Sequence, residues 1–424
     1  MTDNYKERNF LKKEIALEKI INLLLYSVIL IMPFIVVNVS NPRYVIGKLV
    51  FLYIVGIALL YLTIKVRFKE LNIYHKISLI FLLTAFIPSI LSPQKSVAFI
   101  GNFERGEGFL MYCIYILLFI LSSRYLIINK KIIKIIFSVV SIMAVYGVFQ
   151  FYGFDPIQKW MFGEIGLNNS FGFIGNRNFF STYICIFLFL STSIYIFKGN
   201  KVYLIFASIF FAALLCSLTR GGWLAFLIYS FVGGTVILKK KECLKRAIVV
   251  FISFTLVLSI LNITTNNKVI GRADKELIIS EEGEFKNSAG ARIDILKMSF
   301  KAFLDKPLLG EGPDSLKMRL LKDYPEESLD HITKYNEIVD KSHNEFLEYA
   351  VSNGVFNLIS YLALIGLILY NLIKKSKNDN YKILALTLFG YLAQSFLNIS
   401  VIMVAPIYWI FLGYCVQKIN EEYI

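Results

Sequence analysis

Charged side chains are scarce in this sequence. Asp, Glu, Lys and Arg make up 18% of its 424 residues, hydrophobic residues reach 56%, and mean hydropathy is +0.61. A soluble domain of this length needs far more polar surface, so a soluble fold is excluded and a lipid-facing exterior is implied. Cysteine occurs five times, as Cys113, Cys185, Cys216, Cys243 and Cys415, never as C-x-x-C. Neither a metal knuckle nor a disulfide framework follows from that spacing. The sequence has no Gly-rich nucleotide loop, metal-binding triad or G-x-S-x-G elbow, so no metal and no cofactor is expected. The apolar runs hold almost no Asp, Glu, Lys or Arg. Ion-coupled transporters place such residues near the bilayer midplane, and their scarcity counts against transport.

What is present is a series of apolar runs long enough to cross about 30 Å of hydrocarbon. They fall near 21–39, 44–64, 77–92, 108–123, 133–153, 178–197, 202–218, 221–238, 247–264, 352–373, 382–399 and 401–417. The first is long and lacks a small-residue cleavage site, which makes it a retained span. The expected fold is therefore an all-α polytopic integral membrane protein, with about twelve transmembrane helices and one large outer-face helical loop. Residues 1–264 form an N-terminal bundle of about nine spans, 265–344 an extracytoplasmic loop with short amphipathic helices, and 345–424 the C-terminal transmembrane helices.

A formal net charge of +15 would suggest a nucleic-acid partner in a soluble chain. Here the cations collect in alternate short loops, as cytoplasmic loops do. Lys6 to Lys19, Lys65 to Lys76, Arg124 to Lys131, the run KKKECLKR (239–246) and Lys374 to Lys377 all share one side if twelve spans alternate. Both termini are then cytoplasmic, the partner is a lipid bilayer, and no nucleic acid is expected. Residues 265–344 lie outside. Within them ARIDILKMSFKAF (291–303) places Ile293, Leu296, Phe300 and Phe303 on one helical face. Lys306-Pro307 ends that helix, GEGPD (310–314) is a turn, and SLKMRLLKD (315–323) is a second short helix.

Three inward-running spans start at the outer side with unusual residues. The sixth begins in GFIGNRNFFST (172–182), with Asn178 as N-cap and Arg177 before it. The eighth begins in SLTRGGWLAF (217–226), where Arg220 precedes Gly221 and Gly222. The tenth begins in DKSHNEFLEYA (340–350), where Ser342 and Glu345 form a capping box that sets His343 at the first helical position. Exposed helix N–H groups beside a guanidinium bind phosphate, and glycine lets a ligand reach the backbone. A helix N-terminus also keeps imidazole neutral and able to accept a proton. Arg292, opening the amphipathic helix of the loop, is a fourth candidate. The ordinary alternatives stand beside these readings. An Arg next to a span anchors at the interface by snorkelling. The Asn-Arg-Asn of 176–178 serves equally as a capped turn, and a helix-start His is often merely solvated. His75 and His331 read as ordinary loop residues.

Four segments together resemble the bacterial O-antigen ligase and O-antigen polymerase group of membrane glycosyltransferases. GFIGNRNFFSTY is similar to that family's G-N-x-N-x-x-A-like start of a span, and SLTRGGWLAFL to its S-x-S-R-G-a-W-L segment. RIDILKMSFKAFLDKPLLGEGPDSL resembles its R-x-x-x-W-x-x-A…P-L-x-G-x-G-p-x-x-F loop, and SHNEFLEYAVSNGVFNLISYL its H-N-x-x-L-x-x-x-x-x-x-G-x-x-G-L segment. The likeness runs over roughly residues 170–375, with Phe300, Leu316 and Asn357 departing from the pattern. It implies a membrane glycosyltransferase of surface polysaccharide biosynthesis. Such an enzyme transfers a polyprenyl-pyrophosphate-linked glycan to the hydroxyl of a glycan or lipid-linked acceptor, at the outer face of the bacterial cytoplasmic membrane, without a nucleotide sugar. It implies roles for His343, Arg220 and Arg292 in catalysis, with Arg177, Arg220, Arg292 and Gly221 holding the pyrophosphate. The expected reaction is metal-independent and inverting. A lipid-linked saccharide transporter or flippase is the alternative, and a non-catalytic scaffold a weaker one.

Overall fold

In lipid a backbone has no water to bond with, so a chain this apolar can satisfy its N–H and C=O groups as helices. The computed structural model describes residues 2–39, 42–66, 70–162, 170–238, 240–274, 288–399 and 401–421, of which 2–13, 162, 273–274 and 288–289 are described by backbone alone. Among these residues there are nineteen α-helices and no strand. They are α1 (Thr2–Leu30), α2 (Ile46–Lys65), α3 (Ile73–Leu91), α4 (Lys95–Ile100), α5 (Phe109–Tyr125), α6 (Lys130–Phe151) and α7 (Pro156–Phe162). Then follow α8 (Arg177–Lys198), α9 (Lys201–Cys216), α10 (Arg220–Ile237), α11 (Lys241–Thr264), α12 (Lys268–Asp274) and α13 (Ser288–Asp305). The chain finishes with α14 (Leu316–Asp323), α15 (Pro325–Tyr335), α16 (Glu345–Asn353), α17 (Val355–Lys374), α18 (Asp379–Phe396) and α19 (Ala405–Glu421).

The protein is an all-α polytopic membrane protein. Every apolar run of the sequence has a helix at its place. Among the described residues eight helices are long and apolar enough to cross a membrane, α5 and α9 are shorter apolar helices, and α18 and α19 occupy the last two runs. Two expectations need correcting. The tenth span is not entered directly through 340–350: α16 stands there as a separate helix, broken from α17 at Gly354. His75 and His331 are not loop residues. Both sit in helices and are buried, His75 Nε2 lying 2.7 Å from Ser123 Oγ.

Without a hydrophobic drive between helices in lipid, close approach relies on small residues and fitted side chains. α19 lies along α5, α17 along α3, α10 along α18, and α8 between α9 and α18. α8 is the most enclosed span, with only a few side chains facing outward. Gly222 brings α10 onto α8: a Cβ there would strike Ser181 Oγ and come within 2.7 Å of Leu214 Cδ1. The start of α8, half-buried at one end of the protein, is where the candidate site lies.

The helices between α11 and α17 build a small cap with its own core of Ile295, Met298, Ala302, Leu316, Leu320, Tyr324, Val339 and Val351. The apolar face read on α13 is mostly an outward one. Ile293 and Phe300 are 42% and 52% exposed, whereas Ile295, Met298 and Ala302 are buried. α13 carries apolar residues on two sides, and the helical period alone does not say which meets the core. The cap is pinned to the break before α17. Val355 N–H donates to Pro307 C=O (2.8 Å), and the Glu311 and Gly312 N–H groups donate to Ser352 C=O (3.1 and 2.8 Å). Gly354 and Gly310 have φ of +84° and +61°, and a Cβ on either would collide with the other segment's backbone. Only glycine allows both the left-handed backbone and that approach.

Candidate functional site: an arginine cluster beside a buried histidine

Three helix starts and the end of α18 converge here. Asn176, not Asn178, caps α8 by accepting from Asn178 N–H (2.8 Å), which makes Arg177 the first helical residue. The Arg177 carbonyl accepts from Thr219 Oγ1 (3.2 Å), tying the start of α8 to that of α10, whose first residue is Arg220. The Ser342–Glu345 capping box does not form. Asn344 caps α16 instead, accepting from Leu347 N–H (3.0 Å), and His343 precedes it with a left-handed φ of +52°. That backbone cannot belong to a helix, so the His343 ring stands off the helix start. Asn398, fully buried after α18, ties the start of α8 to that of α16. Its Nδ2 donates to Asn178 C=O (3.2 Å) and Thr182 Oγ1 (3.1 Å), and its carbonyl accepts from Glu345 N–H (3.0 Å).

All five site residues read from the sequence therefore meet at one end of the protein. Arg292, from α13, reaches down so that its Nη1 lies 3.6 Å from where a Cβ on Gly221 would sit. Arg220 Nη2 donates to the Arg272 carbonyl (3.1 Å). Arg220 lies within electrostatic reach of Arg177, Arg272 and Arg292, a concentration of four guanidinium groups. Burial and the neighbouring Arg177 lower the pKa of Arg292, with Glu337 acting the other way. Like charges this close are costly unless an anion joins them. His343 faces the cluster. Burial first, and then Arg292, lower its pKa below the usual imidazole value of 6.5, against the pull of Asp340 and Glu337. The imidazole is neutral at pH 7 for these reasons rather than because of a helix N-terminus. Its Nδ1 is buried and has no hydrogen-bond partner among the described residues.

Arg272 was not singled out in the sequence, although the reasoning that found Arg220 applies to it: a cation on the cation-poor side. A second set of residues had no sequence signal, because its members come together only through the fold. Lys341 Nζ, 3% exposed, lies 3.1 Å from both Asp314 Oδ1 and Glu348 Oε1. Glu348 Oε2 accepts from Ser342 N–H (2.9 Å), and Asp314 Oδ2 accepts from the Asn102 and Glu107 N–H groups (2.6 and 3.2 Å). Burial opposes the Lys341 charge, but Asp314 and Glu348 outweigh it and raise its pKa well above the ordinary lysine value. Beside it Arg105 Nε pairs with Asp340 Oδ2 at 2.6 Å. The stretch 340–344 that presents His343 is thus anchored at its start by the buried Lys341 pairs and the half-buried Arg105–Asp340 pair. Glu345 points away from the site, accepting from Tyr361 (2.9 Å), and burial pushes its pKa up to about 7. Among the described residues no three His, Cys, Asp or Glu side chains group as metal ligands.

No curated protein matches the chain. Residues 205–362 match the family model described as O-antigen ligase, a stretch holding Arg220, Gly221, Arg272, Arg292 and His343, with Arg177 before it. The resemblance read from the four sequence segments is borne out: this stretch of the chain is similar to the O-antigen ligase family.

Proposed function

We propose that the protein is a glycosyltransferase that moves a glycan from polyprenyl pyrophosphate to an acceptor hydroxyl at the outer face of the cytoplasmic membrane. The observation that carries this reading is the placement of Arg292 over Gly221, with Arg220 on one side and neutral His343 on the other. Four guanidinium groups at the end of a membrane helix bundle suit a diphosphate whose lipid tail lies in the bilayer. Arg177, Arg220 and Arg292 hold that diphosphate, and the backbone at Gly221 lets it approach the start of α10.

In the reaction the acceptor oxygen attacks the anomeric carbon as the bond from that carbon to the phosphate oxygen breaks. The electron pair leaves with polyprenyl pyrophosphate, whose growing charge the guanidinium groups stabilise. The acceptor's proton passes to the buried Nδ1 of His343, a general-base contribution worth about 10²–10⁴-fold. Attack opposite the leaving group inverts the anomeric centre. Guanidinium groups supply the electrophilic role, so the reaction as drawn needs no metal.

The test is transfer from a purified lipid-linked glycan by the wild-type protein and by Arg220→Ala and His343→Ala. Loss of turnover, with wild-type release of polyprenyl pyrophosphate as product, is expected. Wild-type turnover in both variants, at normal folded yield, would remove this mechanism. Arg292→Lys is also expected to be impaired, since lysine cannot grip phosphate with two parallel N–H groups.

A further inference from the structure

A deep cavity lies far from the arginine cluster, at the other end of the same helices. α8 begins at Arg177 in the site and ends at Lys198 on the cavity rim. Those residues are separated by roughly 30 Å of helix at 1.5 Å per residue. The cavity has a volume of about 1030 Å³ and is bounded by residues of α6, α8, α18 and α19. Its shaft is apolar, with Phe137, Phe187, Leu190, Ile407, Ile410 and Phe411 among its walls. Its rim is basic: Lys130, Lys134, Lys198 and Lys418 face one carboxylate, Glu421, which Lys418 already holds at 2.7 Å. The rim also takes in the starts of α6, α9 and α18, each capped by an asparagine, Asn129, Asn200 and Asn378.

We propose that this crevice binds one acidic phospholipid of the leaflet at the lysine-rich face. Charge complementarity selects the headgroup. Lys130, Lys134 and Lys198 carry exposed ammonium groups around a single opening, and the helix starts add positive partial charge toward a phosphate. The shaft selects a lipid over a soluble anion. From Lys418 to Ile407 it follows α19 for about 16 Å, matching one half of a hydrocarbon core of about 30 Å. The donor's pyrophosphate is not the occupant, because its site is at the opposite end of α8. The proposal therefore stands or falls independently of the transfer reaction.

The experiment uses the full chain, purified in detergent and stripped of lipid, with phosphatidylglycerol and phosphatidylcholine as probes. Native mass spectrometry should show one phosphatidylglycerol retained in preference to phosphatidylcholine, and the melting temperature should rise with the former only. The triple variant Lys130→Gln, Lys134→Gln, Lys198→Gln should weaken phosphatidylglycerol binding by about a hundredfold, at near 1 kcal/mol per lysine. Lys131→Gln, an exposed neighbour outside the crevice, should leave binding unchanged. Leu190→Trp, which fills the shaft, should lose the lipid while transfer activity persists. Equal retention of both lipids, retention of neither, or an equal loss with Lys131→Gln would overturn the proposal.

Discussion

The Arg292 guanidinium stands over Gly221, with Nη1 3.6 Å from the place a Cβ would take. The two glycines of the α10 start therefore have different jobs, and alanine at each should separate them. At Gly221 a methyl group meets only ordinary contacts, 3.5 Å from Leu397 and 3.6 Å from Arg292. Gly221→Ala should fold as well as the wild type, or up to about 1 kcal/mol better, yet lose roughly tenfold to a hundredfold in transfer because the methyl fills the approach to the backbone. At Gly222 a methyl strikes Ser181, so Gly222→Ala should lose about 1–3 kcal/mol in thermal unfolding. A Gly221→Ala protein running at the wild-type rate would show that no phosphate comes that close.

With His343 as the proposed base, the reaction should show an acid limb. The His343 pKa is lowered by burial and by Arg292, so the neutral, proton-accepting form prevails at pH 7 and is lost as pH falls through a value below 6.5. Removing Arg292 removes a charge that disfavours imidazolium, so Arg292→Gln should move the acid limb to higher pH as well as lowering the plateau. Asp340 pulls the other way, and Asp340→Asn should move the limb to lower pH. A pH–rate profile of the three proteins checks both signs. A limb that stays in place in both variants would mean that another group titrates.

Much of this site was legible in the sequence because cations on the cation-poor side of a membrane protein are conspicuous. Arg220 stood out for that reason, whereas Arg177 and Arg292 drew attention by opening a span and the loop helix. Helix caps were harder. Asn176 and Asn178 both suit the start of α8, and Ser342 and Asn344 both suit that of α16, so sequence could not choose between them. The choice falls to Asn344 because its side-chain amide also donates to Phe396 C=O (3.0 Å), a contact made across 52 residues. The buried ion pairs were invisible for the same reason. Asp314, Lys341 and Glu348 look like loop charges until the cap folds over them. Likewise α13 has two apolar faces, and only contact with α14 and α16 decides which is buried.

The Lys341 network should be worth more to stability than its loop position suggests. Lys341→Met leaves Asp314, Glu348 and Glu107 buried near one another without their shared cation. Removing one partner from a buried ion pair costs about 3–5 kcal/mol. The variant should unfold at a clearly lower temperature, and the His343 stretch should lose protection from hydrogen exchange before the spans do. An unfolding temperature within a degree of the wild type would show that the cap is held by its small apolar core alone.

Arg272 is the residue that folding adds to the cluster, and its substitution asks whether the cluster acts as a unit. Arg220 bonds to the Arg272 backbone carbonyl, not to its side chain, so Arg272→Ala leaves that contact in place. What it removes is one guanidinium whose Nε is buried and has no hydrogen-bond partner among the described residues. If that group meets the donor's diphosphate, one charge-assisted hydrogen bond of about 1.5–3 kcal/mol is lost. The KM for the lipid-linked donor should then rise by roughly ten- to a hundredfold, with kcat less affected, and inorganic pyrophosphate should inhibit correspondingly less. An unchanged KM with unchanged inhibition would place Arg272 outside the binding set and leave the diphosphate to Arg177, Arg220 and Arg292.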